Sequence, residues 1–230
     1  MCFSATTSFT AGVALLVVGT VTTRRASRRA ELPYALIPVL FGLQQLIEGA
    51  LWLTFPVEAP LLNTALTHAF SFFSHVLWPL YVPVAVLLLE PTPWRRKVLV
   101  AIALAGATVS LYLLYFLVRL SIVAEPSGGH IAYISPHFYA LASMGLYLLG
   151  TCVSSIFSSH RSVRWFGAAA FISFVGAYAF YAFWFISVWC FFAALLGGLV
   201  LLHFPRRRVG HIAFERQFTI GRDLPCGCSI

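Results

Sequence analysis

Charge is scarce in this sequence. Asp, Glu, Lys and Arg make up only 10% of its 230 residues, and hydrophobic residues make up 60%. Soluble domains carry about a quarter charged residues, so a water-soluble fold of this length has too little charge to cover itself. A bilayer has to be the solvent for most of the chain. Lysine is all but missing, with Lys97 standing alone. No basic residue precedes the first apolar stretch, so a cleaved signal peptide is not expected. The five cysteines form no disulfide framework: Cys152 and Cys190 lie in apolar stretches, Cys226 and Cys228 lie near the C-terminal end, and Cys2 follows the first methionine. No internal repeat and no low-complexity segment is visible.

What is present is a series of apolar stretches near the length of roughly 20 residues that a spanning helix needs. The first runs from about Ser8 to Thr22, the second from Pro33 to Phe55, the third from Leu61 to Leu89, and the fourth from Val98 to Val118. Pro79 and Pro83 are expected to kink the third. A loop of mixed polarity, Ser121 to Ser135, precedes a fifth stretch from Pro136 to Phe157. The tract from Trp165 to Phe204 would be roughly 60 Å long as one helix, twice the hydrocarbon thickness. Two spans with a tight turn near Trp184 to Ser187 are therefore expected. Tyr178, Tyr181, Trp184 and Trp189 would then form an interfacial aromatic belt. The fold class is an all-α membrane protein, a bundle of about seven transmembrane helices over 1–204, with a basic tail over 205–230.

The formal charge of +8 is gathered in clusters at 24–29, 95–97, 161–164 and 206–208. Seven crossings put all four on one side, which the positive-inside rule makes cytoplasmic. The N-terminus is then outside and the C-terminus inside, in a cytoplasmic (inner) membrane. Clusters between apolar stretches encode topology, so nucleic acid is not expected as a partner; the lipid bilayer is.

Ionisable groups in hydrocarbon are costly and need a partner or a purpose. Glu48, His68 and His75 stand out. Gln44, Glu48 and Trp52 share helical spacing on the second span, with Gln45 beside them. Thr64, His68, Ser71 and His75 do so on the third. The two stripes match in depth if the spans are neighbours. A carboxylate with two imidazoles is a start for a divalent metal such as zinc. His137, opening the fifth span, and Cys2 would join the metal ligands Glu48, His68 and His75 at the outer edge. The same groups suit a proton or solute relay, or a non-enzymatic network that holds helices together. His130 is expected to be solvated, and His203 to anchor the last span.

The opening Met1-Cys2-Phe3-Ser4-Ala5 and the segment Gln44-Gln45-Leu46-Ile47-Glu48-Gly49 resemble an uncharacterised bacterial family of multi-pass membrane proteins whose members begin in this way. The resemblance implies that Cys2 and Glu48 belong to a family pattern, and it implies no activity. Other families fit less well. Retinal proteins hold their chromophore on a lysine inside the bundle, and Lys97 lies in a basic cluster. A haem is not expected, because the histidines do not pair at matching depths. Ser71 four residues before His75 is similar to the zinc site of alkaline-ceramidase-type hydrolases, but the intramembrane aspartate and the paired histidines of their last helix are missing. Transporters with broken helices would find one break, in the third span, and no matching break in the second half.

Overall fold

The computed structural model describes residues 4–120, 122–135, 138 and 140–204. Five of its helices are long and apolar enough to cross a membrane: α1 (Ala5–Arg25), α2 (Arg29–Thr54), α3 (Pro60–Leu89), α4 (Pro93–Arg119) and the stretch Arg161–His203. A further apolar helix, α5 (Leu141–Ile156), is shorter. The stretch Arg161–His203 is not one rod. Tyr181 leaves helical geometry at φ −135°, ψ 37°, and a 3-10 turn follows at Ala182–Trp184. The chain then returns along itself, so that Ser162 Oγ lies 2.9 Å from His203 Nδ1. The two arms are α6 (Arg161–Tyr181) and α7 (Phe185–Gly197). The turn falls slightly ahead of the expected Trp184 to Ser187. Trp189 therefore lies a turn inside α7 rather than in a belt. It is buried, stacks on Phe185, and donates from Nε1 to the Ala170 carbonyl at 3.3 Å.

Proline at an early helix position leaves no backbone donor unmet, and Pro33, Pro38, Pro60 and Pro93 each open a helical segment. α1 and α2 run antiparallel in close contact. A Cβ added to Gly19 would sit 2.3 Å from the Val39 side chain, and one on Gly12 would sit 3.0 Å from the Gly42 carbonyl. Small residues of this kind let membrane helices approach to van der Waals distance where hydrophobicity gives no drive.

α3 is irregular at its centre, where Phe72–Leu77 forms a π-helix. Carbonyls set free here find other donors, as they must in hydrocarbon. Tyr147 Oη donates to Ser74 O at 2.5 Å, and Ser110 Oγ donates to Val76 O at 2.8 Å. Pro83 has no N–H for the Pro79 carbonyl one turn back. Two glycines close on that oxygen: a Cβ on Gly106 of α4 would lie 2.0 Å away, and one on Gly150 of α5 would lie 2.7 Å away. Gly150 belongs to a second π-helical segment, Leu149–Val153, in α5. The second half of the chain thus has a break of its own, packed against the first. No proline marks it, so the sequence did not betray it.

The expected loop Ser121 to Ser135 contains an antiparallel hairpin, β1 (Val123–Ser127) paired with β2 (His130–Ile134). Gly128 (φ 56°) and Gly129 (φ 79°) make the two-residue turn, and positive φ at both central positions suits a hairpin's twist. The hairpin rests on the turn between α6 and α7. The His130 ring packs 5.2 Å from Trp184 and 5.6 Å from Tyr181, centroid to centroid, so His130 is buried rather than solvated. Buried β2 residues carry the hairpin into the end of the bundle.

The opposite end gathers the basic residues. Arg25 Nη1 donates to Phe204 O at 3.0 Å, and Arg95 Nη1 donates to Phe157 O at 2.8 Å. His160 and His203 pack ring to ring at 5.0 Å, and His203 meets Tyr34 at 5.3 Å. Beside them Glu90, just past α3, is buried. Oε1 accepts from the Thr92 N–H at 3.2 Å and from Ser159 Oγ. Oε2 accepts from the Ser159 N–H at 2.7 Å and Ser158 Oγ at 3.5 Å.

Candidate functional site

Glu48 faces the interior of the bundle and is 1% exposed. α2 sets it on the same face as Gln44 and Gln45, which are fully buried. Ser187 of α7 donates from Oγ to Glu48 Oε1 at 2.7 Å, and Gln45 donates from Nε2 to Oε2 at 3.3 Å. Both donors are uncharged. Gln44 Oε1 accepts from Trp78 Nε1 at 2.7 Å, which ties α2 to α3. The Trp78 ring in turn stacks on Phe41 at 3.8 Å.

Several polar atoms of this cluster are buried and lack a partner. They are Gln45 Oε1, Ser71 Oγ and Tyr133 Oη. Tyr133 enters from β2, stacked on Phe70 of α3 at 4.5 Å, and it lies within electrostatic reach of Glu48, as does Cys190 of α7. Buried polar groups in native proteins are mostly satisfied, so a cluster of open ones around a carboxylate calls for an explanation. An isolated carboxylate costs far too much in an apolar medium to remain charged without compensation.

His75 is equally buried, but its hydrogen bonds go elsewhere. Nδ1 lies 2.7 Å from Ser74 Oγ and Nε2 lies 3.1 Å from Ser135 Oγ, with the Phe138 ring at 4.8 Å. His68 is half-buried, and its Nδ1 turns back to the Thr64 carbonyl at 2.8 Å. Thr64 is exposed while Ser71 and His75 are buried, so the four do not form one stripe. Thr64, His68 and Ser71 all lie before the π-helix, where the inward face of α3 runs through Thr67, Phe70 and Ser71 and leaves Thr64 and His68 to one side. Among the described residues, no three His, Cys, Asp or Glu side chains come together as a group that could hold a metal. Cys2 and His137 lie outside the described residues, as do Cys226, Cys228 and the cluster 206–208.

Ser187, Tyr133 and Ser135 belong to the site and were not singled out from the sequence. The first depends on the fold-back of α7. The other two depend on the hairpin, for which Gly128-Gly129 between two strand-like runs was an available signal. A separate small cavity of about 30 Å³ lies deeper, walled by Trp78, Trp189, Phe41, Phe166, Cys152 and Cys190 among others. It has room for about one or two waters, but its apolar walls favour a dry state.

The model of a family of unknown function (DUF6629) matches residues 1–215 of the chain. No curated protein and no solved structure matches it.

Proposed function

The chain belongs to the family of unknown function (DUF6629), and from that premise we propose that it is a cation-binding membrane protein whose ligand-binding carboxylate is Glu48. The observation that carries this reading is the state of the carboxylate. It is buried, it receives two uncharged donors, the open amide oxygen of Gln45 adjoins it, and the open Tyr133 hydroxyl lies within electrostatic reach. A cation would compensate the charge and use those oxygens. Carboxylate, amide and hydroxyl oxygens suit hard cations, and a proton is the smallest of these. The two π-helical segments, Phe72–Leu77 and Leu149–Val153, the second packed on the Pro79 carbonyl just past the first, are of the kind that often accompanies functional sites.

Seven crossings are part of the same reading: α1 to α5 and the two arms α6 and α7. The gathering of Arg25, Arg95 and the 160–164 region at one end supports a cytoplasmic position for that end. The N-terminus and the hairpin then face outward, in the cytoplasmic membrane. The divalent-metal form of the reading, with Glu48, His68, His75, Cys2 and His137 as ligands, needs a gathering of these groups that the described residues do not make.

Thermal unfolding in detergent micelles tests the proposal, with Na⁺, K⁺, Mg²⁺, Ca²⁺, Mn²⁺ and Zn²⁺ added singly. A ligand at about a hundred times its Kd stabilises the folded state by about 2.7 kcal/mol. At least one cation is expected to raise the Tm of the wild type and to leave Glu48→Gln unmoved. A wild type indifferent to all six, at any pH between 5 and 9, would contradict the reading. The structural alternative is favoured by one observation, the Ser187 bond that fastens α2 to α7. It predicts that Glu48→Ala, which breaks that bond, loses stability and that no cation matters.

A further inference from the structure

Between the turn that joins α2 to α3 and strand β1 lies an open vestibule of about 430 Å³. Thr54, Glu58, Asn63 and Pro126 are among its walls. Glu58 has a φ of 47°, a left-handed conformation that costs a non-glycine residue about 1–2 kcal/mol. Its side chain is exposed, so the turn holds a carboxylate at the mouth.

Polar side chains lead inward from the vestibule. Asn63 Nδ2 donates to Thr54 Oγ1 at 2.9 Å, and Thr67 Oγ1 donates to Asn63 Oδ1 at 3.5 Å. Thr67 is fully buried, although it lies on a helix that elsewhere presents apolar residues. Ser71 follows one turn further on, fully buried, with its Oγ unpartnered. α2 and α3 run antiparallel, with Asn63 opposite Thr54 at one end and Trp78 opposite Gln44 at the other. Ser71 therefore lies near the depth of Glu48, and Thr67 about a turn outward of it. Tyr133, stacked on Phe70 and within reach of Glu48, closes the same level from the hairpin side.

We propose that this row, Thr54, Asn63, Thr67 and Ser71, is the hydrated entry path by which a small cation passes from the vestibule to Glu48. The cation-binding role of Glu48 is the reading on which it rests. The chemistry of the row selects its cargo. Every named side chain offers an oxygen, and the row carries no Lys, Arg or His. Oxygen dipoles replace the water around a cation and offer an anion only the weaker help of hydroxyl and amide hydrogens. Glu58 at the mouth raises the local concentration of cations. The open Oγ of Ser71 and Oη of Tyr133 are then the places where water or the ion is bound in passage.

Thiol labelling tests the path. Ser71→Cys and Thr67→Cys are each introduced singly, both being close in size to the native side chain. Vesicles with the hairpin side outward are treated with a charged, membrane-impermeant methanethiosulfonate cation. Labelled positions are located by peptide mass spectrometry, which separates them from the native cysteines. Both variants are expected to label, and the label is expected to be lost when Asn63→Trp fills the vestibule. Ala85→Cys, fully buried in the other half of α3, is the control and is expected to stay unlabelled. If neither Ser71→Cys nor Thr67→Cys labels faster than Ala85→Cys, the path is overturned, and the cation response of Glu48 still stands on its own test. Labelling that Asn63→Trp abolishes, in a protein whose Tm ignores cations, upholds the path and overturns the reading of Glu48.

Discussion

Two carboxylates of this protein are equally buried and are treated in opposite ways. Glu90, at the basic end, is 1% exposed and fully served: two backbone N–H groups and two hydroxyls fill both its oxygens. Glu48, in the other half of the bundle, is also 1% exposed but has only two donors, with the open amide oxygen of Gln45 beside it. The first arrangement is complete as it stands. It ties the end of α3 to the segment between α5 and α6, and nothing more could bind there. The second leaves neighbours unmet, which the proposed cation would use. Burial alone does not separate the two acids; the number of unmet neighbours does.

The comparison breaks most visibly at Glu90. Glu90→Ala leaves the N–H groups of Thr92 and Ser159 without an acceptor. A loss of about 3 kcal/mol is expected, read as a lowered Tm in detergent, with no change in any cation response. If Glu90→Ala unfolds no more easily than wild type, the clamp is not one. The same residue gives the protein an acid limit. Burial pushes the Glu90 carboxyl up, but the hydroxyl and N–H of Ser159, with those of Thr92, outweigh it and hold it below the usual carboxylate range. Its folded pKa is thus lower than the unfolded value of about 4.3. Stability from Glu90 is complete above that value and drains away as the pH falls through the folded pKa. Acid unfolding followed by circular dichroism should show a smaller loss in Glu90→Gln than in wild type across that window.

Smaller effects belong to the other carboxylate. Ser187→Ala removes one of its two donors and one bond between α2 and α7. The expected cost is about 1 kcal/mol, and the cation affinity is expected to change with it. Unchanged affinity would place Ser187 outside the binding shell. Glu48→Gln keeps the shape and removes the charge. Its stability without added cation is expected to stay within about 1 kcal/mol of wild type, because the amide still accepts from Ser187. A large loss in Glu48→Gln would make Glu48 a second Glu90.

Much of this fold was legible before any coordinate. Apolar runs and basic clusters are repeated signals, written over many residues, so the helices α1 to α4 and the fold-back of 161–203 could be read from length and charge alone. The inward face of Glu48 followed from helical spacing, because α2 is regular where it matters. His68 shows where that logic stops. Thr64 and His68 share helical spacing with Ser71, but the face that packs inward runs through Thr67, Phe70 and Ser71, and spacing alone does not say which of two neighbouring stripes is buried. The surroundings of Glu48 were hidden for a different reason. Ser187 and Tyr133 lie 139 and 85 positions away in sequence, on elements whose docking only the assembled bundle defines. Tyr133 also depended on a hairpin inside a stretch that polarity alone marks as a loop.

The central claim is that the Glu48 carboxylate itself meets a cation. Infrared difference spectroscopy of the protein in lipid, with and without the cation that raises its Tm, reads that group directly. A shift of a carboxylate stretching band on binding, missing from Glu48→Gln, is the predicted result. Difference spectra that are the same in wild type and Glu48→Gln would contradict it.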